Sequence, residues 1–274
     1  MADLVIDYLH PGPFTTIDPG QFWLLQGMTD DPLAICAAAQ ALVVLPGEAS
    51  ALGVPGRRSE EQSIRPVRDL MAILAKRLPE PLHHPRSPAA RVVGTSRHSA
   101  TLACALLQSK GYAARARCGF STRLGQGVLE DQWTTEFWSS GEQRWIRVNP
   151  GRPHHGRTAE VLSAQSFLTG GEVWQRFRSG HLDTPAFGAD GDDFTRNSAR
   201  IGASTVRDLA ALCQLEMLPG DTWGRMAEAR QGRMSVAYDN LIDVVAAVCA
   251  RGEAADLARL FRAPDLAVPP HLIG

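Results

Sequence analysis

The stretch from Gly94 to Phe120, GTSRHSATLACALLQSKGYAARARCGF, places a hydroxyl and an imidazole at the head of an apolar run. Ser96 stands where a helix with a reactive residue would begin, and His98 follows it. A nucleophile at a helix N-terminus gains from the helix dipole and from free backbone amides, which lower a thiol pKa and form an oxyanion hole. Its base and the group orienting that base must come from other segments. Two later strands bring one residue each to that helix end, Gln132 from EDQWTTEFW and Asn149 from RWIRVNP. Serine is a weak nucleophile at neutral pH and needs a base. Glutamine takes no proton, and asparagine has no imidazolium to stabilise. An ordinary acyl-enzyme mechanism is therefore not expected.

Each candidate has a plain reading beside the chemical one. Ser96 is a helix N-cap, a hydrogen-bond donor to a bound substrate, or a covalent nucleophile. His98 lies about 200° round the helix from Ser96, so the two form no dyad. It is either a solvent-facing or structurally paired histidine, or a general acid or base. Glu136 shares a strand face with Gln132 and Thr134, and is either an ion-pair partner of an arginine or a replacement base. Asp131 is a loop carboxylate beside Gln132. Trp133, Trp138 and Trp145 read as core or cleft walls, and Cys104 and Cys118 as buried packing residues. His83–His84 and His154–His155 form two surface-like pairs without a third ligand at a recognisable spacing, so no metal is expected.

The surrounding pattern supplies elements to position these groups. DDPLAICAAAQALVVL reads as one helix, with an aspartate cap and Pro32 in its first turn. PGEASALGVPGRRSEEQ reads as a loop and SIRPVRDLMAILAKRL as an amphipathic helix. A helix from Thr95 or Ser96 to about Lys110 ends at Gly111. YAARARCGFST alternates as a strand, with Arg115 and Arg117 on the face opposite its small and apolar residues. QWTTEFWSS, GEQ and RWIRVNPG form a hairpin stopped by Pro150. AEVLSAQSFLTGGEVWQRFRSG reads as helix, break, helix, and residues 182–203 as a long polar loop. Helices follow in STVRDLAALCQLEMLP and SVAYDNLIDVVAAVCARG.

This order resembles the transglutaminase-like family of the papain-like cysteine-hydrolase superfamily. The family motifs correspond to GTSRHSATLACALL, ARCGF, EDQWTTEFW and RWIRVNP. One bacterial subfamily is closer still, through the opening HPGP loop and the late segment Val206 to Gly224. The resemblance implies an α+β fold: a transglutaminase-like core with the nucleophile-position helix packed on an antiparallel sheet, plus N- and C-terminal helices. It implies a single domain over 1–274, with its core at about 90–152. It also implies that the family's Cys-His-Asp triad is replaced here by Ser96-Gln132-Asn149, and that the family aspartate two residues after the nucleophile is His98. Framework positions such as Gly94, Gly111, Gly119, Trp133, Arg207, Asp208 and Trp223 match.

The formal net charge of -1 gives no footprint for nucleic acid or an anionic membrane surface. The five cysteines form no CxxC pair, and no signal peptide or spanning segment is apparent, which points to a reduced, cytoplasmic protein. The expected function is that of a degenerate transglutaminase-like protein without cofactors. In one form it is a repurposed biosynthetic enzyme acting on a small amide-, peptide- or acyl-like molecule by non-covalent acid/base chemistry. Ser96, His98 and Glu136 are its catalytic candidates, and Gln132, Asn149, Trp133 and Asp131 its substrate contacts. In the other form it is a pseudoenzyme that binds a ligand or a partner protein.

Overall fold

A computed structural model describes residues 5–122, 129–149, 159–163, 166–182 and 194–273. The chain divides into two compact units. One consists of Asp7–Ala116 and Trp133–Leu162, the other of Met1–Ile6, Arg117–Gln132 and Ser163–Gly274.

In the first unit, Asp31 caps helix α1 (Pro32–Ala41) by accepting the Ala34 N–H at 3.0 Å. The helix stops sooner than its apolar sequence suggests. Val43–Val44 instead form strand β1, paired in parallel with β2 (Val92–Val93). Pro46 disfavours a helical conformation at the residue before it, and the β-branched valines suit a strand. The following segment is also more ordered than a loop, with a short helix α2 (Pro46–Ala49) and a 3-10 helix over Gly56–Ser63. Glu61, in that 3-10 helix, accepts from Arg58, from Arg77 and from the Val93 N–H, and so pins β2. Burial pushes its carboxyl pKa up, but the Arg77, Arg58 and Val93 hydrogen bonds outweigh this and hold it at about 2.

Helix α3 (Val67–Arg77) buries Val67, Leu70, Met71 and Leu74, the stripe expected of an amphipathic helix. Helix α4 (Ser96–Ser109) packs against α1 and α3 and is buried without interruption from Arg97 to Leu107. Gly111, at φ +81°, lets the chain turn out of it.

Three longer strands follow: β3 (Ala114–Thr122), β4 (Leu129–Ser139) and β5 (Arg144–Val148). The β4–β5 hairpin pairs Glu136 with Arg147 and Trp138 with Trp145, as the alternation predicts. With β6 (Phe167–Thr169) they form an antiparallel sheet of order β5-β4-β3-β6, and the fold is of mixed α+β type.

The second unit departs more from its sequence pattern. Phe167–Thr169 pairs with β3 at Gly119–Ser121, where a helix was expected. The backbones come so close that a Cβ on Gly119 would lie 2.1 Å from the Leu168 carbonyl oxygen. Thr169 and Glu172 then form a capping box, which starts helix α5 (Gly170–Arg178) immediately after the strand. Helix α6 (Phe194–Leu212) occupies the end of the expected polar loop. Asn197, Ser198, Ser204 and Thr205 are buried on it, so its polar composition disguised an internal helix. Residues 183–193 lie outside the described residues. The unit is completed by α7 (Met226–Arg230), α8 (Val236–Arg251, capped by Ser235 and ended at Gly252) and α9 (Ala254–Phe261). Among the described residues, no helix is long and apolar enough to cross a membrane.

Candidate functional site

Thr95, not Ser96, is the N-cap of α4; Ser96 is the first helical residue. Its hydroxyl oxygen accepts the Trp133 backbone N–H at 3.1 Å. The α4 terminus is thereby fixed to β4 at the residue that follows Gln132. Thr135 adds a second tie, donating its hydroxyl to the Ala100 carbonyl at 3.3 Å. Thr134 donates its hydroxyl to the Val148 carbonyl, and Val148 pairs with Thr135 in the hairpin. Asn149 is the next residue along. Its N–H donates to the Glu160 carbonyl at 2.8 Å, its side-chain amide donates to the Glu160 carboxylate at 3.3 Å, and its carbonyl accepts from Gln40.

The α4 start is thus tied to the 133–135 stretch of β4, which pairs in turn with the end of β5 just before Asn149. Trp133 is buried, while Ser96, Gln132 and Asn149 are half-buried. The hydroxyl of Ser96 accepts one bond there, which leaves its proton for donation to another acceptor.

His98 is placed quite differently from a proton carrier in a cleft. It is fully buried. Nδ1 accepts the Thr95 backbone N–H at 3.0 Å, so the imidazole takes the part that glutamate plays in a capping box. Nε2 lies 3.1 Å from the Ile64 carbonyl. An acceptor role at Nδ1 requires the neutral Nε2–H tautomer, which donates to Ile64. Burial, followed by the neighbouring Arg97 charge, pushes the imidazole pKa down to about 3. Gly94 makes room for the ring: a Cβ there would sit 2.8 Å from His98 Cγ.

Glu136 is equally committed. It is 2% exposed and bridges Arg115 Nε at 2.8 Å and Arg147 Nε at 2.6 Å. Arg115 also lies 4.0 Å from the centroid of the Trp145 ring. The ion-pair reading of Glu136 is the one the geometry realises, with two arginines rather than one.

Asp131 is exposed and paired with Arg200 at 2.6 Å. Arg117 is buried and forms a two-pronged ion pair with Asp208. The same carboxylate accepts the Cys118 N–H at 2.9 Å. Every cysteine is buried, and burial pushes the Cys118 thiol up to about 12. Among the described residues, no group of three or more His, Cys, Asp or Glu side chains is arranged to hold a metal ion. His154 and His155 lie outside the described residues.

Sequence reasoning missed Gln40, Glu61 and Glu160, whose roles depend on partners in other elements, Asn149 for Gln40 and Glu160 and Arg77 and Val93 for Glu61. Only their residue types hinted at hydrogen bonding, and periodicity does not report it. Comparison of the chain with protein-family models, curated proteins and solved structures finds no match.

Proposed function

We propose that this chain is a transglutaminase-like protein that has lost acyl-transfer chemistry and keeps the polar cleft as a binding site for a small amide-, peptide- or acyl-like molecule. One observation carries the reading: both proton carriers offered by the sequence are held in structural roles. His98 caps α4 as a buried neutral imidazole, and Glu136 is clamped between Arg115 and Arg147. Ser96 and Asn149 supply a hydroxyl and an amide, groups suited to recognising another amide by hydrogen bonds. A repurposed enzyme is the second reading. It is favoured by Glu160, an ionisable side chain 3.3 Å from the Asn149 amide.

Restoring the triad tests the proposal. In the triple variant Ser96→Cys, Gln132→His, Asn149→Asp, a nearby imidazole should lower the new thiol's pKa. Alkylation by iodoacetamide at pH 6 is expected to run at least about 10-fold faster than in Ser96→Cys alone. Equal rates would mean that the three positions do not form the family constellation. N-acetylglutamine amide is then the probe that separates the two readings. Stabilisation of the wild-type protein without turnover, lost in Ser96→Ala, supports the binding protein. Turnover abolished by Glu160→Gln supports the enzyme.

A further inference from the structure

The second unit holds a cavity of about 310 Å³ lined by Asp131, Arg200, Ala203, Arg207, Pro219 and Arg230. We infer that this cavity is a binding site for the phosphate group of a small molecule.

Arg200 and Arg207 are about two turns apart on α6, so they fall on one helix face, and Ala203 lies between them as a small floor. Arg230, the last residue of α7, adds a third guanidinium. Among the described residues, Asp131 is the one carboxylate in the lining, and it is bonded to Arg200. Arg207 is the unusual member. It is only 6% exposed, yet its hydrogen bond is to a backbone carbonyl, that of Asp221, at 2.9 Å. Its Nε–H has no acceptor among the described residues.

Asp131 and Asp221 act on Arg207 through space, but among the described residues no carboxylate hydrogen-bonds to it. Asp208 is held by Arg117, and Asp221 accepts the Leu218 N–H at 2.7 Å. A buried guanidinium with an N–H left without an acceptor is costly, and a bound oxyanion would remove that cost. Consistent with this, burial lowers the Arg207 pKa.

Three guanidinium groups against one lining carboxylate leave two positive charges, which match a dianion. A phosphate monoester carries about −1.5 to −2 at neutral pH, and the planar arginine fork suits its oxygens. The volume lies at the small end of ligand cavities, with room for a phosphate and a modest organic body.

Inorganic phosphate and phenyl phosphate serve as probes, in calorimetric titration and thermal melting at constant ionic strength, with sodium chloride and benzoate as controls. Phosphate is expected to bind and raise Tm above the chloride control. Arg230→Gln, at an exposed position, should weaken it about 10-fold, and Asp131→Asn should tighten it. Arg207→Met should abolish binding; if that variant does not fold, Arg230→Gln carries the test. Tighter binding of phenyl phosphate identifies an organic monoester as the natural source, and equal binding identifies free phosphate; either supports the site. A phosphate effect no larger than that of chloride, an unchanged Kd in Arg230→Gln, or benzoate binding as tightly as phosphate would overturn it.

Discussion

The Nδ1 atom of His98 accepts the backbone N–H of Thr95 at 3.0 Å, so this imidazole is the reciprocal half of the cap on α4. The consequence is a pH-dependent stability with a definite sign. Its folded pKa is about 3, against an ordinary value of 6.5. The unfolded chain therefore binds the proton more tightly, and the folded state loses stability as pH falls from about 6.5 toward 3. At pH 5 the loss from this group is about 2 kcal/mol. Urea denaturation at pH 7.5 and pH 5 is expected to show that difference shrink in His98→Asn. An equal difference in both proteins would remove the capping account.

Glu136 is expected to matter for stability rather than for proton transfer. Glu136→Gln keeps the shape but leaves Arg115 and Arg147 facing a neutral amide in a largely buried position. A loss of about 2–4 kcal/mol follows from breaking a buried ion pair on one side. Denaturant melts measure it, and a cost below about 0.5 kcal/mol, the level of an exposed surface change, would contradict the burial.

The Ser96 hydroxyl holds the Trp133 amide. In Ser96→Ala that buried N–H loses its acceptor, at a cost of about 1–2 kcal/mol. Hydrogen exchange at the Trp133 amide should accelerate, while the amides of α3 keep their protection. Unchanged exchange at Trp133 would show that the contact does not persist in solution.

The five cysteines are all buried, and burial raises the thiols of Cys36, Cys118 and Cys213 to about 12. A thiolate-specific reagent should leave them unmodified in the native protein over minutes and modify all of them in guanidinium. Rapid native labelling of Cys118 would contradict its burial.

Gly119 permits the approach of β6 to β3. With a Cβ placed 2.1 Å from the Leu168 carbonyl oxygen, Gly119→Ala must push the strands apart. A destabilisation of more than about 3 kcal/mol, or failure to fold, is expected. Gly141→Ala, where nothing lies within 4 Å of the new carbon, is the matched control.

The sequence by itself determined what depends on neighbours along the chain. The α3 stripe, an α4 that starts at Thr95 or Ser96 and ends before Gly111, and the β4–β5 hairpin follow from periodicity, capping and turn chemistry. Residue types alone likewise say that neither Gln132 nor Asn149 titrates. Local reasoning failed where a segment's conformation answers to distant partners. Val43–Val44 left a helical run to pair with β2, Phe167–Thr169 left another to pair with β3, and polar residues 194–203 became helical inside the second unit.

The tertiary structure also decided what each candidate side chain does. His98 meets Ile64, Glu136 meets Arg115 and Arg147, and Arg117 meets Asp208 across 91 residues. Whether a carboxylate or an imidazole can move a proton depends on its solvation and its counter-charges. Both are properties of the packed chain, and no spacing in the sequence encodes them.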